Sequence, residues 1–494
     1  MVGPDYVQPT APTPTAYKEA GPWKPAKPKD DMIRGPWWEI YHDSHLNTLE
    51  AQVNISNQNV IQAEAQFVEA AAAVKVANAG LFPTITANPT YSASQSSQSL
   101  TKSGSGGSSS SGSSGSGGTS SGGHSGKYGV NSLYNLPLEA SYMVDVWGQV
   151  RRSIEANSAT AQASYAALEN ARLSYQATLA QDYFTLRGID AQEQLLKTTV
   201  VSYQKYLVLT TNRYNSGIAS KGDVAQATTQ IDNANAQLID LGVARAQYEH
   251  AIATLIGKPA SNFSLGSLPL EALPPRIPVA LPSTLLERRP DIAEAERNVA
   301  SANASIGVAT AAYYPTITLT GQAGLEAVQL SQLFSGPSFF WSVGPALAQT
   351  LFNGGQTHGQ VQEAQANYEA TVAAYRQTVL TAFQQVEDDL SGLRILADEA
   401  AATNDAVKSS QQSLDIATNL YTAGTQSYLD VIVAQATALT DQIAAIKVQT
   451  SRMNTSVLLV EAVGGGWDKS QMPGAAGVAD VPQAKAQIDK GKKQ

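Results

Sequence analysis

His42-Asp43-Ser44-His45 offers two imidazoles and a carboxylate within four residues, the donor types of a zinc or other transition-metal site. No third ligand follows at a metal-site spacing, and the alternative is a polar surface segment leading into a helix. Glu387-Asp388-Asp389 sets three carboxylates in a row on a helical pattern. Paired acids for proton transfer need such proximity, but a solvated or water-lining helix face is the commoner outcome. The glycines between Gly104 and Gly118 do not form a GxxxxGK[ST] phosphate loop. His250 and His358 stand alone on helical patterns. Cysteine is absent, which removes disulfides, zinc–thiolate sites and cysteine nucleophiles together. The chain is therefore not expected to be an enzyme, and no metal or other cofactor is expected in it.

With reactive groups so sparse, the surrounding elements carry the information. The 494 residues are 15% charged with a net charge of −9, and no basic patch favours nucleic acid. No run of about 18 uncharged apolar residues marks a membrane helix. That leaves a membrane β-barrel open, because alternating strands barely register in hydropathy. Met1-Val-Gly-Pro-Asp-Tyr6 has neither the basic nor the apolar region of a signal peptide.

The chain is an internal duplication. Phe82-Pro83-Thr84-Ile85-Thr86 returns 232 residues later as Tyr314-Pro315-Thr316-Ile317-Thr318. Gly148, Leu186-Arg187, Gly217 and Asp223-Val224 return 207 residues later as Gly355, Leu393-Arg394, Gly424 and Asp430-Val431. The offset falls because the first copy alone carries a tract, 101–126, in which 22 of 26 residues are Ser or Gly. Such a composition reads as a flexible loop. The expected organisation is an N-terminal extended segment (1–45), a first repeat (46–263), a linker (264–284), a second repeat (285–467) and a disordered tail (468–494).

Each repeat runs helix, strand, strand, long helical hairpin. Strands are predicted at about 82–97 and 131–147, then at 314–327 and 338–352. Their residues alternate: Ile85, Ala87, Pro89, Tyr91 and Ala93 on one face, Thr84, Thr86, Asn88, Thr90 and Ser92 on the other. Tyr134, Leu136, Leu138, Ala140, Tyr142 and Val144 share a face, as do Phe339, Trp341, Val343, Pro345 and Leu347. A soluble sandwich with one wet face is the alternative, but two hairpins among long helices give too few strands for it. In a membrane, Ile85, Tyr91, Tyr134, Ile317, Leu319 and Trp341 would face lipid. Residues 150–214 and 356–420 then run without proline, roughly 100 Å of helix each. Leu168, Tyr175, Leu179 and Leu186 form one apolar stripe and Leu173, Ala177, Ala180 and Phe184 another, so the helix packs on both flanks. Four strands cannot close a barrel, for which about eight are needed, and lipid forbids open edges. Three copies would supply twelve strands and twelve helices in a ring.

These features resemble the outer membrane factor family, the TolC-like, OprM/NodT-type outer-membrane efflux lipoproteins. The resemblance runs from Val2-Gly3-Pro4-Asp5-Tyr6 through Trp37-Trp38, Asp145-Val-Trp-Gly148, Leu285-Leu286-Glu-Arg-Arg-Pro-Asp-Ile292 and Phe352-Asn-Gly-Gly355 to Gly464-Gly465-Gly466-Trp467. It implies a mainly α, mixed fold: a trimeric tube with a 12-stranded outer-membrane β-barrel and a long periplasmic α-helical barrel. The implied function is passive conduction of drugs or other small molecules outward from a tripartite pump. Its partners would be a periplasmic membrane-fusion adaptor, an inner-membrane pump, two further copies of the chain and outer-membrane lipid. Type I protein secretion through the same channel, or a non-conducting coiled-coil spanning the envelope, are the alternatives. An N-terminal lipid is implied on a Cys that this chain lacks, replaced by Met1 or preceding it. The resemblance puts closure at the hairpin tips, 214–224 and 421–431. Leu429 and Asp430 fall where the family constricts, Gln426 where some relatives carry a basic partner, and Val433 where relatives carry a second Asp. Asp430 also reads as a helix cap, and both roles stay open. Tyr214, Gly217, Asp223, Tyr421 and Gly424 would shape the surface that meets the adaptor.

Overall fold

A computed structural model describes residues 1–14, 16–20, 35–95, 131–275, 277 and 285–478. The Ser/Gly tract lies outside the described residues, as do 278–284 of the linker and 479–494 of the tail. The helices are α1 (Ser44–Ser56), α2 (Gln58–Ala79), α3 (Gln149–Asn215), α4 (Lys221–Leu255), α5 (Pro290–Ala311), α6 (Gln356–Thr422) and α7 (Tyr428–Ala462). The strands are β1 (Thr84–Ala87), β2 (Thr90–Ser94), β3 (Asn131–Val144), β4 (Thr316–Ala327) and β5 (Phe339–Ala348). Two compact units divide the chain: 1–3, 76–153 and 307–361 form the first, and 4–75, 154–306 and 362–494 the second.

The first unit is an antiparallel sheet in the order β1-β3-β4-β5, with β2 also paired to β3. The strand expected at about 82–97 is thus two short ones. One register serves both, Ala87 opposite Leu138 and Thr90 opposite Asn135. Continued through the gap, it sets Asn88 against Pro137 and Pro89 against Leu136. Neither proline has an N–H to donate, so the ladder lapses there and resumes without a slip. The other three strands end a few residues short of the expected bounds, and the residues released anchor the junctions. The Asp145 carboxylate accepts from Val150 N and Arg151 N, both at 3.1 Å, and so caps α3. Trp147 Nε1 donates to Pro315 O at 2.8 Å, and its ring stacks on Tyr314 at 4.7 Å. Val2 N donates to Trp147 O at 2.9 Å, which pins the chain's first residues beside the end of β3.

In the second unit α3 and α6, 67 residues each, return through α4 and α7, 35 residues each. Both apolar stripes expected on α3 are buried apart from the half-buried Tyr175. The core gathers Trp37, Tyr41, Phe184, Tyr375, Val386 and Val460. Trp37 Nε1 donates to Gln176 Oε1 at 3.1 Å, and Tyr41 Oη lies 2.9 Å from Ser456 Oγ. The duplication is visible in the bonds themselves. Asn57 Nδ2 donates to Leu255 O at 2.8 Å, and Arg289 Nη1 donates to Ala462 O at 2.9 Å. Each ties the start of a repeat to the end of its returning helix. Gly257 (φ +68) and Gly464 (φ +95) follow those ends, and a Cβ on either would collide with the carbonyl of Ser56 or Arg288.

Two of the polar residues singled out in the sequence, Asp43 and Glu387, have structural partners. Asp43 caps α1, accepting from His45 N and Leu46 N at 2.8 and 3.1 Å, while its other oxygen accepts from Tyr183 Oη at 2.6 Å. Glu387 is not merely solvated, since it accepts from the backbone N–H groups of Lys18 and Glu19 at 2.7 and 2.9 Å. Burial, then Asp388 and Glu461, push Asp389 up to about 7. Two further expectations need correction. Residues 468–478 are ordered: Gln162 Nε2 donates to Pro473 O at 3.0 Å, Lys469 lies 3.6 Å from Glu296, and Val478 is buried. Also, α7 is long and apolar enough to cross a membrane by composition. Its Met453, Val457 and Val460 instead fill the core of this unit.

Glu50 on α1 is completely buried, and neither carboxylate oxygen has a hydrogen-bond partner among the described residues. Burial pushes its carboxyl well above the usual range. A pKa raised on folding favours the neutral acid, so stability is full below the unfolded pKa and is lost as pH rises toward the folded one. Glu50→Met is therefore expected to stabilise the protein by about 1–3 kcal/mol near pH 8. The gain in thermal midpoint should shrink toward pH 4. A gain independent of pH would contradict this account of Glu50.

Candidate functional site

The two hairpin tips are built alike. At the first, α3 ends in Arg213-Tyr-Asn-Ser-Gly217, where Gly217 takes φ +73 and Ile218 N donates to Arg213 O at 2.8 Å. At the second, Gly424 takes φ +81 and Thr425 N donates to Leu420 O at 3.0 Å. These left-handed glycines close the helix ends that their sequence positions suggested. Each returning helix then opens on a capping box. Asp223 Oδ2 accepts from Ser220 N at 2.9 Å, and Ser220 Oγ accepts from Asp223 N at 3.1 Å. Asp430 Oδ2 accepts from Ser427 N at 3.3 Å and from Ser427 Oγ at 3.0 Å. Of the two roles left open for Asp430, the cap is the one drawn by these bonds.

Spacing on α7 separates two faces. Tyr428, Val431 and Ile432 are buried with Tyr421, Ala417 and Ala227. Gln426 precedes the helix, and Leu429, Asp430 and Val433 follow at three- and four-residue steps; all four are exposed. Leu429 is 55% and Val433 58% exposed, one turn apart, so α7 shows an apolar pair beside a carboxylate. The adaptor-tip set divides. Tyr214 is 43% exposed, whereas Tyr421 is 4% exposed and is not a surface residue. Its ring lies 5.3 Å from that of Tyr428 and 4.5 Å from the Arg213 guanidinium. Burial, followed by the neighbouring tyrosines, pushes Tyr428 up to about 12. Tyr421 shapes the tip from within because the second tip packs against the end of α3.

Arg213 went unnoticed in the sequence. The available signal was a lone cation in the last turn of α3, where the duplicated position holds Leu420.

The sheet is the second candidate surface. Directly opposed residues share a face, which gives the rows Ile85–Ala140–Gly321–Val343, Leu138–Ala323–Trp341, Tyr142–Leu319–Pro345, Val144–Ile317–Leu347 and Tyr91–Tyr134–Ala327. All six residues expected to face lipid belong to this one face. The opposite face carries Thr84–Ser141–Thr320–Gly344 and Thr86–Glu139–Gln322–Ser342. Within the described chain the apolar face is uncovered, with Ile85, Trp341, Val343 and Leu347 among its exposed members. The outer edges, β1/β2 and β5, have no strand partner among the described residues.

A model of the outer membrane efflux protein family matches residues 51–258 and 281–465, one match on each repeat. The probable efflux pump outer membrane protein TtgC of Pseudomonas putida is 28% identical over 468 residues, covering 94% of this chain and 92% of the relative. The solvent efflux pump outer membrane protein SrpC of Pseudomonas putida is 32% identical over 348 residues, 69% of this chain and 73% of the relative. In structure, the outer-membrane channel OprN superposes with a TM-score of 0.82 at 26% identity, covering 94% of this chain and 99% of that one. With both repeats matched, an uncovered apolar sheet and paired helical hairpins, the chain belongs to the outer membrane efflux protein family.

Proposed function

We propose that three copies of this chain close into one outer-membrane channel of an efflux pump. Their sheets would join edge to edge as a 12-stranded barrel, and their helices would form the periplasmic conduit. The observation that carries this is the single apolar face running through all the strands, bounded by two edges with no strand partner among the described residues. Such a face needs lipid, and open edges in lipid need strand partners. The polar face would then line a water-filled pore of threonine, serine and glutamine, with little selectivity. The conduit has no catalytic part to play. Transport energy would come from an inner-membrane pump joined through a periplasmic adaptor that meets the tips around Tyr214, Gly217, Asp223 and Gly424. Relatives named for toluene, solvent and antibiotic efflux support drugs or other small molecules as cargo. A lipid on a cysteine at or just before Met1 would add an anchor, since Val2 is held at the end of β3.

The exposed Leu429, Asp430, Val433 and Gln426 would converge from three tips and hold the conduit shut. Leu429 would supply much of the closure, because Val433 and Gln426 lack the charges of some relatives. The test is entry of a large hydrophilic antibiotic into cells with equal amounts of channel. Cells carrying Leu429→Ala/Asp430→Ala are expected to be sensitised at least about fivefold over wild type. Equal resistance would sink the gate. Secretion of proteins would use the same geometry with a different partner, and the named relatives favour efflux. A non-conducting coiled coil has no use for the alternating sheet.

A further inference from the structure

Within the two repeats the strand registers coincide. Ile85 stands opposite Ala140 in the first, and their duplicates Ile317 and Leu347 stand opposite each other in the second. The boundary between repeats has its own register, in which β3 and β4 pair from Tyr134–Ala327 to Val144–Ile317. There β3 runs past Ser141, its last partner to β1, and Tyr142, Met143 and Val144 are held by β4 alone. The second repeat stops at the equivalent point. β5 ends at Ala348, the duplicate of Ser141, opposite Thr316. Gln349, Thr350 and Leu351, the duplicates of Tyr142, Met143 and Val144, lie outside the ladder, and Leu351 is 93% exposed.

What holds β3 to its full length is the first strand of the repeat that follows it. For β5 the following repeat is the first repeat of another copy, whose β1/β2 edge also lacks a strand partner among the described residues. Carrying the β3–β4 register across by the two offsets, 207 and 232, fixes the pairs at that junction. Ser342 falls opposite Ser94 of the next copy, Gly344 opposite Ser92, Ala346 opposite Thr90 and Thr350 opposite Thr86. A slip of one residue would turn one strand's apolar side onto the polar face. In this register Val343, Pro345, Leu347 and Leu351 meet Ala93, Tyr91, Pro89 and Ile85, so the apolar face continues unbroken. The polar row Glu139–Gln322–Ser342 continues into Ser94.

We propose that β5 of one copy pairs with β1 and β2 of the next in this register, and that residues 349–351 become strand on pairing. The junction is head to tail, so it repeats round a closed ring. The inference rests on three copies sharing one barrel. Beyond the strands the junction differs from its counterpart inside the chain. Trp147 donates there to Pro315 O, and the duplicate of Trp147 is Gly354. The boundary between copies therefore relies on the backbone ladder, without an indole to clasp the next strand.

Because the chain has no cysteine, disulfide trapping in outer-membrane vesicles tests it with full-length Thr90→Cys/Ala346→Cys and Thr86→Cys/Thr350→Cys. Both pairs lie on the polar face. Within one chain β3 and β4 separate the members of each pair by about 14 Å or more, too far for a disulfide, so a bond joins two copies. Oxidation with copper phenanthroline is expected to give covalent trimers from both. It should do so at least about ten times faster than from Thr90→Cys/Gly344→Cys or Thr90→Cys/Ala348→Cys, which mimic a two-residue slip. Light scattering of the detergent-purified protein reports the number of copies independently. Faster trapping of a slipped pair, or a trimer that traps in no pair, overturns the register and leaves the shared barrel standing. Trapping at 90 and 346 with none at 86 and 350 overturns the extension of β5. A protein that is monomeric and traps in no pair overturns the register and the barrel together.

Discussion

Asp190→Ala is expected to cost about 3–5 kcal/mol, the range for breaking a buried ion pair from one side. Asp190 has no exposed side-chain surface, and its oxygens accept from Arg187 Nη1 at 3.2 Å, Arg245 Nε at 2.8 Å and Leu268 N at 2.9 Å. Both arginines also hold the chain that leaves α4: Arg187 donates to Gly266 O and Arg245 to Leu265 O, each at 2.7 Å. Removing the carboxylate leaves two guanidinium groups facing each other and a backbone N–H without its acceptor. The segment 264–270 would come loose from α3 and α4. Thermal melting should show the loss, and limited proteolysis should cut within that segment in the variant alone. Glu249→Gln, at the rim of the same network, should cost no more than about 1 kcal/mol. Equal effects at the two positions would mean that Asp190 is not the centre of the network.

The second large effect is set by strand parity. Val343 stands on the apolar face in the row Ile85–Ala140–Gly321–Val343, while its neighbour Ser342 faces Gln322 and Glu139. A lysine near the middle of a lipid-facing strand costs about 2–4 kcal/mol, and the proposed assembly of three would carry it three times. Val343→Lys is expected to lower assembled protein in the outer-membrane fraction more than about tenfold. Ser342→Lys, one residue away, should leave it within about twofold. The reverse order would put lipid on the threonine-rich side and contradict the assignment of faces.

Much of this was legible because the two periods, 2 and 3.6, report which face a residue occupies. Offsets of 232 and 207 disclosed the repeats, and alternation from Thr84 and Tyr134 gave the faces that the register displays. Periodicity says nothing about which distant atom a side chain meets. Tyr214 and Tyr421 occupy equivalent positions in the repeat, yet one is exposed and the other is buried under Arg213. Leu186-Arg187 and Leu393-Arg394 mark the same repeat position, but Arg187 closes a buried network while Arg394 meets Glu19 at 2.7 Å. Spacing places Pro89 on a strand face, and only the register shows that it and Pro137 meet at the same gap. Composition marks the tail as disordered, whereas within its described part, 468–478, Pro473 and Val478 find partners in the second unit that composition cannot reveal.

The central claim is that this chain assembles into a conduit closed at its hairpin tips. Planar-bilayer conductance of the purified protein tests it most directly. Wild type is expected to give rare, brief openings, and Leu429→Ala/Asp430→Ala long-lived steps of one uniform size. A double variant that assembles in the bilayer and passes no current would contradict the account.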